Sequence, residues 1–272
     1  MIPREQNTGA ESPDDVRLIS QQSSFRFGLR HLLGAVALIG VALAIMAAIY
    51  RRAREEADQA RCASNLMQIG LALQNYHDTF RSFPAAWQVD GTGRIAHSWR
   101  VAILPFINAN ADSLHYSYSE PWNSPNNSKI ATRTGFWLYT CPADRNHRPE
   151  MTNYVAVVGR NTMWPASDYK RMADLLNDLS NTIMVVEIAN SNIHWMEPRD
   201  LPIEELKAWL DPKHKPTLFH SHSHGRITSG LVVFADGHTE PLPHDITEKR
   251  LRALLSPAGN DNPDGTAESA AK

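Results

Sequence analysis

The segment that decides the fold is residues 64–87, which read SNLMQIGLALQNYHDTFRSFPAAW. Its large apolar side chains recur at intervals of three and four residues, at Leu66, Ile69, Leu73, Tyr76 and Phe80. This spacing predicts an α-helix with one apolar stripe, because an α-helix has about 3.6 residues per turn. We expect the stripe to form part of a hydrophobic core. We expect the helix to end near Asp78 and before Pro84.

An uncharged apolar run, LLGAVALIGVALAIMAAIY, lies upstream at residues 32–50. As a helix it is about 28 Å long, close to the roughly 30 Å hydrocarbon core of a bilayer. A cleaved signal peptide usually has a shorter apolar stretch that ends in small residues, whereas this run ends in Tyr50 followed by arginines. The sequence therefore predicts a retained single-pass transmembrane helix in contact with the lipid bilayer. The flanking basic residues do not decide its orientation.

The remaining chain predicts strands behind one long helix. Residues 51–65 contain no Gly or Pro, so the helix should continue from the apolar run to Asp78. Short apolar segments separated by Gly, Pro and Asn follow, and their length and composition predict strands at 98–107, 135–142, 153–159, 181–189 and 229–242. Asp236-Gly237 predicts a hairpin with a type I′ turn. The fold class is therefore α+β, a long helix packed on a mostly antiparallel sheet.

The domain organisation follows from these elements. We predict a flexible N-terminal tail at 1–31, the transmembrane helix at 32–50, the globular domain at 51–256 and a flexible C-terminal tail at 257–272. The 272 residues carry a formal net charge of −2. Proteins that bind nucleic acid present a basic surface to phosphates, so this charge argues against a nucleic-acid partner.

The histidine run His220-Ser221-His222-Ser223-His224 is the clearest candidate for chemistry. On a strand, alternate residues share one face, so His220, His222 and His224 would point the same way, as a metal site requires. The residues that could complete such a site are Asp236, His238, Glu187 and His194. The alternative is a polar loop with solvated histidines. No other cofactor is predicted, because the common nucleophile, zinc-protease and nucleotide motifs are missing from the sequence.

Glu187 and Asp236 also have simpler interpretations. Glu187 ends the apolar segment TIMVVE, where a carboxylate can act as a general base or accept backbone N–H groups and hold a loop. No second carboxylate at a defined spacing supports the catalytic interpretation, so we predict a structural role. Asp236 is predicted to form a turn. The sequence thus predicts no catalytic residues.

Four blocks of the sequence occur in the order of a known family. They are CASNLMQIGLALQNYHD at 62–78, CPAD at 141–144 followed by NYVAVVG, DLSNTIMVVEIANSNIHWMEPRDL at 178–201, and SHGRITSGLVVFADGHTEPL at 223–242. They resemble the bacterial family called domain of unknown function 1559. The resemblance implies a fold like type IV pilins and type II secretion pseudopilins. It also implies an inner-membrane protein whose C-terminal domain lies outside the cytoplasm, and it supplies no catalytic residues.

One departure from prepilins changes the expected role. Prepilins have Phe after the processed Gly and Glu at the fifth mature position, whereas here Gly28 precedes Leu29 and the fifth position is Leu33. We therefore expect a permanently anchored, non-enzymatic, pseudopilin-like protein rather than a fibre subunit. Its expected partners are envelope proteins, including other pilin-like subunits that contact the N-terminal helix. The alternative function is a metal-binding protein or metal-dependent hydrolase that uses the histidine run; the corresponding family block has only one such histidine.

The two cysteines of the chain have two interpretations. Cys62 begins the helical stripe, and Cys141 opens the CPAD block. If the domain lies outside the cytoplasm, the two can form a disulfide that links a loop to the helix and contributes roughly 4 kcal/mol. The alternative is a pair of buried, reduced thiols.

Overall fold

The computed structural model describes residues 28–107, 115–133, 137–144, 148, 150–166, 168–175, 178–189, 191–211, 230–243 and 245–258. The chain divides into two compact units, Met1–Tyr50 and Arg51–Lys272. Helix α1, Leu29–Phe80, contributes residues to both units. The α+β class is confirmed, because this long helix is followed by antiparallel strands.

The first unit contains the apolar part of α1. Every residue from 29 to 50 is exposed. Among the described residues, α1 alone is long and apolar enough to cross a membrane, with a mean hydropathy of 2.7 over its most apolar window. The predicted tail at 1–31 lies mostly outside the described residues, and α1 begins at Leu29, three residues before the predicted start.

The second unit is built on a four-stranded antiparallel sheet in the order β3-β5-β7-β8. These strands are Tyr154–Val155, Ile183–Glu187, Leu231–Phe234 and Thr239–Pro241. Two smaller pairs accompany the sheet. Strands β1 (Trp87–Val89) and β2 (Ile95–Ser98) are antiparallel, whereas β4 (Val157–Val158) and β6 (Leu201–Pro202) are parallel. The prediction of a mostly antiparallel sheet is thus confirmed.

Helices cover both faces of the sheet. Leu66, Ile69 and Leu73 of α1 are fully buried in one core with Val185 and Val233 of the sheet. The opposite core contains Val186 and Val232 with leucines of α6, Glu248–Leu255. Apolar side chains alternate between the two faces of a strand, so each strand supplies both cores.

Gly70 lies where α1 crosses the sheet most closely. A Cβ atom placed on Gly70 would lie 2.7 Å from Cγ2 of Val233. Gln74, one turn further along α1, donates from Nε2 to the carbonyl oxygen of Ala235 at 3.0 Å. The absence of a side chain at Gly70 therefore lets the helix approach strand β7.

The prediction that the buried stripe extends to Phe80 is wrong. Tyr76 is half-buried, but Phe80 in the last turn of α1 is 58% exposed. Its ring contacts Tyr76 and Phe106, with ring centroids 4.6 and 6.2 Å away. These rings lie at the edge of the core, so they shield only part of Phe80.

Two predicted strands are also wrong. Residues 98–107 instead form α2 (Trp99–Ala102) and α3 (Leu104–Ile107). In the described part of the segment at 135–142, residues 137–142, Trp137–Tyr139 form a 3₁₀ turn. Ser98 caps α2 by accepting a hydrogen bond from the Arg100 backbone N–H at 3.2 Å. Short buried apolar runs do not distinguish helix from strand by periodicity. The remaining helices are α4 (Pro125–Arg133) and α5 (Leu206–Leu210).

The Asp236-Gly237 hairpin forms between β7 and β8, but its turn is not type I′. The two strands pair with Val233 opposite Thr239. Among the described residues of this turn, only Gly237 has a positive φ, of 90°. A type I′ turn requires a positive φ at both central residues, and Asp236 does not have one.

Candidate functional site

The two cysteines form a buried disulfide between α1 and the loop after the 3₁₀ turn. Cys62 and Cys141 are each 1% exposed, and their Cα atoms are 5.1 Å apart. Cys62 lies one helical turn before Leu66, so its side chain points toward the same core as the stripe. The bond therefore attaches the 137–142 segment to the buried face of α1.

Side-chain amides hold this segment in place on both sides. Asn65 of α1 donates from Nδ2 to the carbonyl oxygens of Trp137 and Thr140, at 3.2 and 3.1 Å. Asn153 accepts the backbone N–H of Cys141 at 2.9 Å and donates to Asp144 Oδ2, also at 2.9 Å. These bonds satisfy buried polar groups that would otherwise destabilise the fold.

Glu187, the last residue of β5, places a carboxylate beside the disulfide. One of its oxygens and the two sulfur atoms all lie within 4.8 Å of one another. Glu187 is 6% exposed, and its Oε2 accepts the backbone N–H of Leu231 at 3.1 Å. Burial and, to a smaller extent, the nearby Asp144 carboxylate raise the pKa of Glu187 to about 7, against the lowering effect of the Leu231 hydrogen bond.

Tyr154 of β3 completes the buried polar cluster. Its hydroxyl donates to the carbonyl oxygen of Cys62 at 3.3 Å. Burial raises the pKa of Tyr154 well above its usual value, and the neighbouring Glu187 carboxylate contributes to the shift. The phenol therefore remains a neutral hydrogen-bond donor at physiological pH.

An open groove of about 570 Å³ lies over this region. Its wall includes residues that precede and residues that follow each cysteine in the sequence. Trp137, which also lines the groove, is 67% exposed. The lining residues are Arg61, Ser64, Asn65, Gln68, Trp137, Thr140 and Pro142. The groove is open to solvent, and neither cysteine is among its lining residues.

The centre of the predicted histidine site falls in a part of the chain that the structure does not describe. His220, His222 and His224 lie outside the described ranges. Asp236 accepts the backbone N–H of His238 at 3.1 Å and contacts its ring, as expected for a turn residue.

The other predicted ligands lie in different surroundings. His194 is half-buried against Trp122, with ring centroids 5.0 Å apart, and burial lowers the pKa of His194. Within the described part of the chain, the group of potential metal ligands that lie together is Cys62, Cys141 and Glu187. The proximity of Glu187 to the cysteines was not predicted. The separate sequence blocks contain no signal for it, because the contact depends on how the sheet packs against α1.

A second buried polar centre, which the sequence also did not reveal, stabilises the fold. Arg100 and Asp200 form an ion pair whose side chains are fully buried. Asp200 also accepts the indole N–H of Trp99 at 3.2 Å and the backbone N–H of Ala156 at 2.8 Å. Every one of these groups is used in hydrogen bonding within the core, so the pair links α2 to the segments around β3 and β6.

Comparison with known proteins gives one match. The model of the family described as "Protein of unknown function (DUF1559)" matches residues 51–210, which is more than half of the chain. No curated protein matches the chain. No solved structure matches it. The match includes Cys62, Cys141 and Glu187, the three residues of the buried cluster. The chain therefore belongs to the DUF1559 family of proteins of unknown function.

Proposed function

We propose that this protein is a membrane-anchored, non-enzymatic, pseudopilin-like protein. In this proposal, it presents the α+β unit outside the cytoplasm of a bacterial cell for envelope assembly or protein interaction. The observation that carries the proposal is the change from exposed to buried apolar side chains along α1. Residues 29–50 are apolar and exposed, whereas Leu66, Ile69 and Leu73 of the same helix lie in the core of the second unit.

Exposure of so many apolar side chains to water is unfavourable, and a bilayer removes that cost. Burial of apolar surface contributes about 25 cal/mol per Å², and each leucine or isoleucine contributes roughly 2 kcal/mol. A single helix of this length satisfies its backbone hydrogen bonds internally, as the hydrocarbon region requires. The exposed run therefore supports a membrane anchor.

The disulfide supports a location outside the cytoplasm. Structural disulfides persist in oxidising compartments and are rare in a reducing cytoplasm. The Cys62–Cys141 bond therefore supports placement of the second unit in such a compartment. The proposed location is the periplasmic side of the inner membrane.

The proposed partners follow from the exposed surface of α1 in the second unit. Met67 and Leu71 are 52% and 56% exposed, and they lie four residues apart on one side of the helix. Such a surface suits contact with another helix, including one from a second pilin-like subunit.

The experiment combines membrane extraction with topology mapping in intact cells. The wild-type chain should remain in membranes after alkaline extraction, and external protease should digest residues 51–272 in spheroplasts. Thiol-reactive labels should modify Cys62 and Cys141 only after reduction. A cytoplasmic unit with free thiols in untreated cells would contradict the proposed location.

A matched pair of charge variants tests the anchor. The double variant Ile39→Arg/Ala44→Arg introduces two charges into the apolar run, each costing about 3 kcal/mol at the centre of a membrane. The control Ala57→Arg/Ala60→Arg places two charges at exposed positions of α1 outside it. We expect release from membranes only for the first variant; equal retention of both would contradict the anchor.

A further inference from the structure

We propose that the reduced protein binds one divalent transition-metal ion, with Zn²⁺ the best fit, through Cys62, Cys141 and Glu187. The site uses the two cysteines in place of the histidine run and shares only Glu187 with the site predicted from the sequence. It does not depend on the proposed membrane role.

The geometry brings three ligand atoms from three elements to one place. The two sulfur atoms and a Glu187 oxygen lie within 4.8 Å of one another, and all three residues are buried. In a tetrahedral zinc site, Zn–S distances are about 2.3 Å and Zn–O distances about 2.1 Å, so neighbouring ligand atoms lie roughly 3.5 Å apart. Once the S–S bond is broken, side-chain rotation can separate the sulfurs to that distance. Two thiolates and one carboxylate would leave the fourth position for another ligand.

The donor set favours zinc over magnesium or calcium. Thiolates are soft ligands that select Zn²⁺ and Cu⁺, whereas Mg²⁺ and Ca²⁺ prefer oxygen ligands. The carboxylate oxygen is a harder ligand that Zn²⁺ accepts alongside sulfur. A site with two cysteines and one glutamate therefore fits Zn²⁺ best.

The environment of Glu187 provides an independent argument. Buried carboxylates are normally paired with a cation or held by several hydrogen bonds. Within the described part of the chain, Glu187 accepts one hydrogen bond, from Leu231, and pairs with no cationic side chain. A divalent cation at the adjacent cysteines would give the ionised carboxylate the cationic partner that it lacks among the described residues.

The redox step that creates the site requires an external dithiol. The dithiol reduces the Cys62–Cys141 bond to two thiols and is itself oxidised to a disulfide, with transfer of two electrons and two protons. Metal binding then releases the two thiol protons, because thiolates are the ligands. The disulfide is buried, so the reductant must enter where the structure opens. Asn65 and Thr140 line an open groove and lie within three residues of Cys62 and Cys141 in sequence, so this groove is the entry that we assign to the reductant.

The test uses the full-length chain in detergent, without oxygen, in a background with His220, His222 and His224 replaced by alanine. This background prevents metal binding by the histidine run. After reduction with a phosphine, Co²⁺ is titrated as a spectroscopic substitute for Zn²⁺. We expect one equivalent to bind with a thiolate-to-cobalt charge-transfer band and tetrahedral d–d bands, and Zn²⁺ to displace it. The oxidised protein should show neither band.

Two variants separate the ligands from general effects on folding. Glu187→Gln retains both cysteines and an oxygen that can accept the Leu231 N–H, and should weaken Co²⁺ binding about tenfold or more. The control Glu204→Gln changes an exposed glutamate and should leave binding unchanged. Cys141→Ser should abolish the charge-transfer band.

Specific results would overturn the proposal. It is wrong if the reduced protein shows no charge-transfer band, or if Glu187→Gln binds Co²⁺ as tightly as its parent. It is also wrong if the tryptophan fluorescence of the reduced chain is that of the unfolded protein and Zn²⁺ does not restore the folded signal, because the folded site then does not form.

Discussion

The substitution Glu187→Gln should change how the stability of the protein depends on pH. Burial raises the pKa of Glu187 from 4.5 to about 7 in the folded protein. Glutamine has nearly the same shape and retains an oxygen that can accept the Leu231 N–H, but it does not titrate. The variant therefore removes one titration while leaving the packing around the disulfide largely intact.

The sign follows from the proton affinities of the two states. Below about pH 4.5, Glu187 is protonated in both the folded and the unfolded chain, so its stabilising contribution is fully present. Between about pH 4.5 and pH 7, the unfolded chain loses this proton and the folded chain retains it, so stability falls as pH rises. A shift of about 2.5 pKa units at about 1.4 kcal/mol each gives a loss of roughly 3 kcal/mol by pH 8.

The assay is urea-induced unfolding of the full-length oxidised chain in detergent, followed by tryptophan fluorescence from about pH 4 to pH 8. The difference in free energy of unfolding between Glu187→Gln and wild type should shift by roughly 3 kcal/mol in favour of the variant across this range. The constant cost of burying an amide cancels, because only the change with pH is compared. The control Glu204→Gln should give a difference that varies by less than about 0.5 kcal/mol. A pH-independent difference for Glu187→Gln would refute the reasoning.

Three further substitutions test the packing and covalent links of the second unit by the same unfolding assay. Arg100→Met leaves the Asp200 carboxylate buried without its cation and should lower the free energy of unfolding by about 3–5 kcal/mol. The double variant Arg100→Met/Asp200→Leu should recover part of that loss, and no recovery would contradict a paired role. Gly70→Ala places a methyl group against Val233 and should destabilise by about 1–3 kcal/mol; an unchanged midpoint would mean that the helix can move away from the sheet. Cys62→Ser opens a cross-link between residues 79 positions apart and should cost roughly 4 kcal/mol, and reduction of the wild type should give a similar loss.

The sequence was most informative where a pattern depends on neighbouring residues. Leu66, Ile69 and Leu73 lie on one face of any α-helix, so their spacing was enough to predict a buried stripe. The hairpin at Asp236-Gly237 is also local, because a glycine with positive φ closes the turn wherever the strands lie. The apolar run at 32–50 was recognised from composition and length alone.

Other features depended on the partners that each segment meets in the folded chain. The run at 98–107 is as apolar as a strand, but it became helical where Ser98 could cap it and Arg100 could reach Asp200, a residue 100 positions away. The exposure of Phe80 depends on where the core ends, and periodicity does not contain that information.

The cluster of Cys62, Cys141 and Glu187 is the clearest case of a site that tertiary structure decided. Cys62 and Cys141 each begin a sequence block and Glu187 ends the apolar segment TIMVVE, and the sequence suggested a link between the two cysteines alone. Their meeting with Glu187 requires α1 to pack on the sheet so that the end of β5 faces the disulfide. Local periodicity determines which face of an element is apolar, whereas the distant element that covers this face is selected by packing of the whole chain. The sequence by itself thus determined the long apolar helix, the buried stripe and the α+β class, and only the tertiary structure decided what surrounds the buried carboxylate.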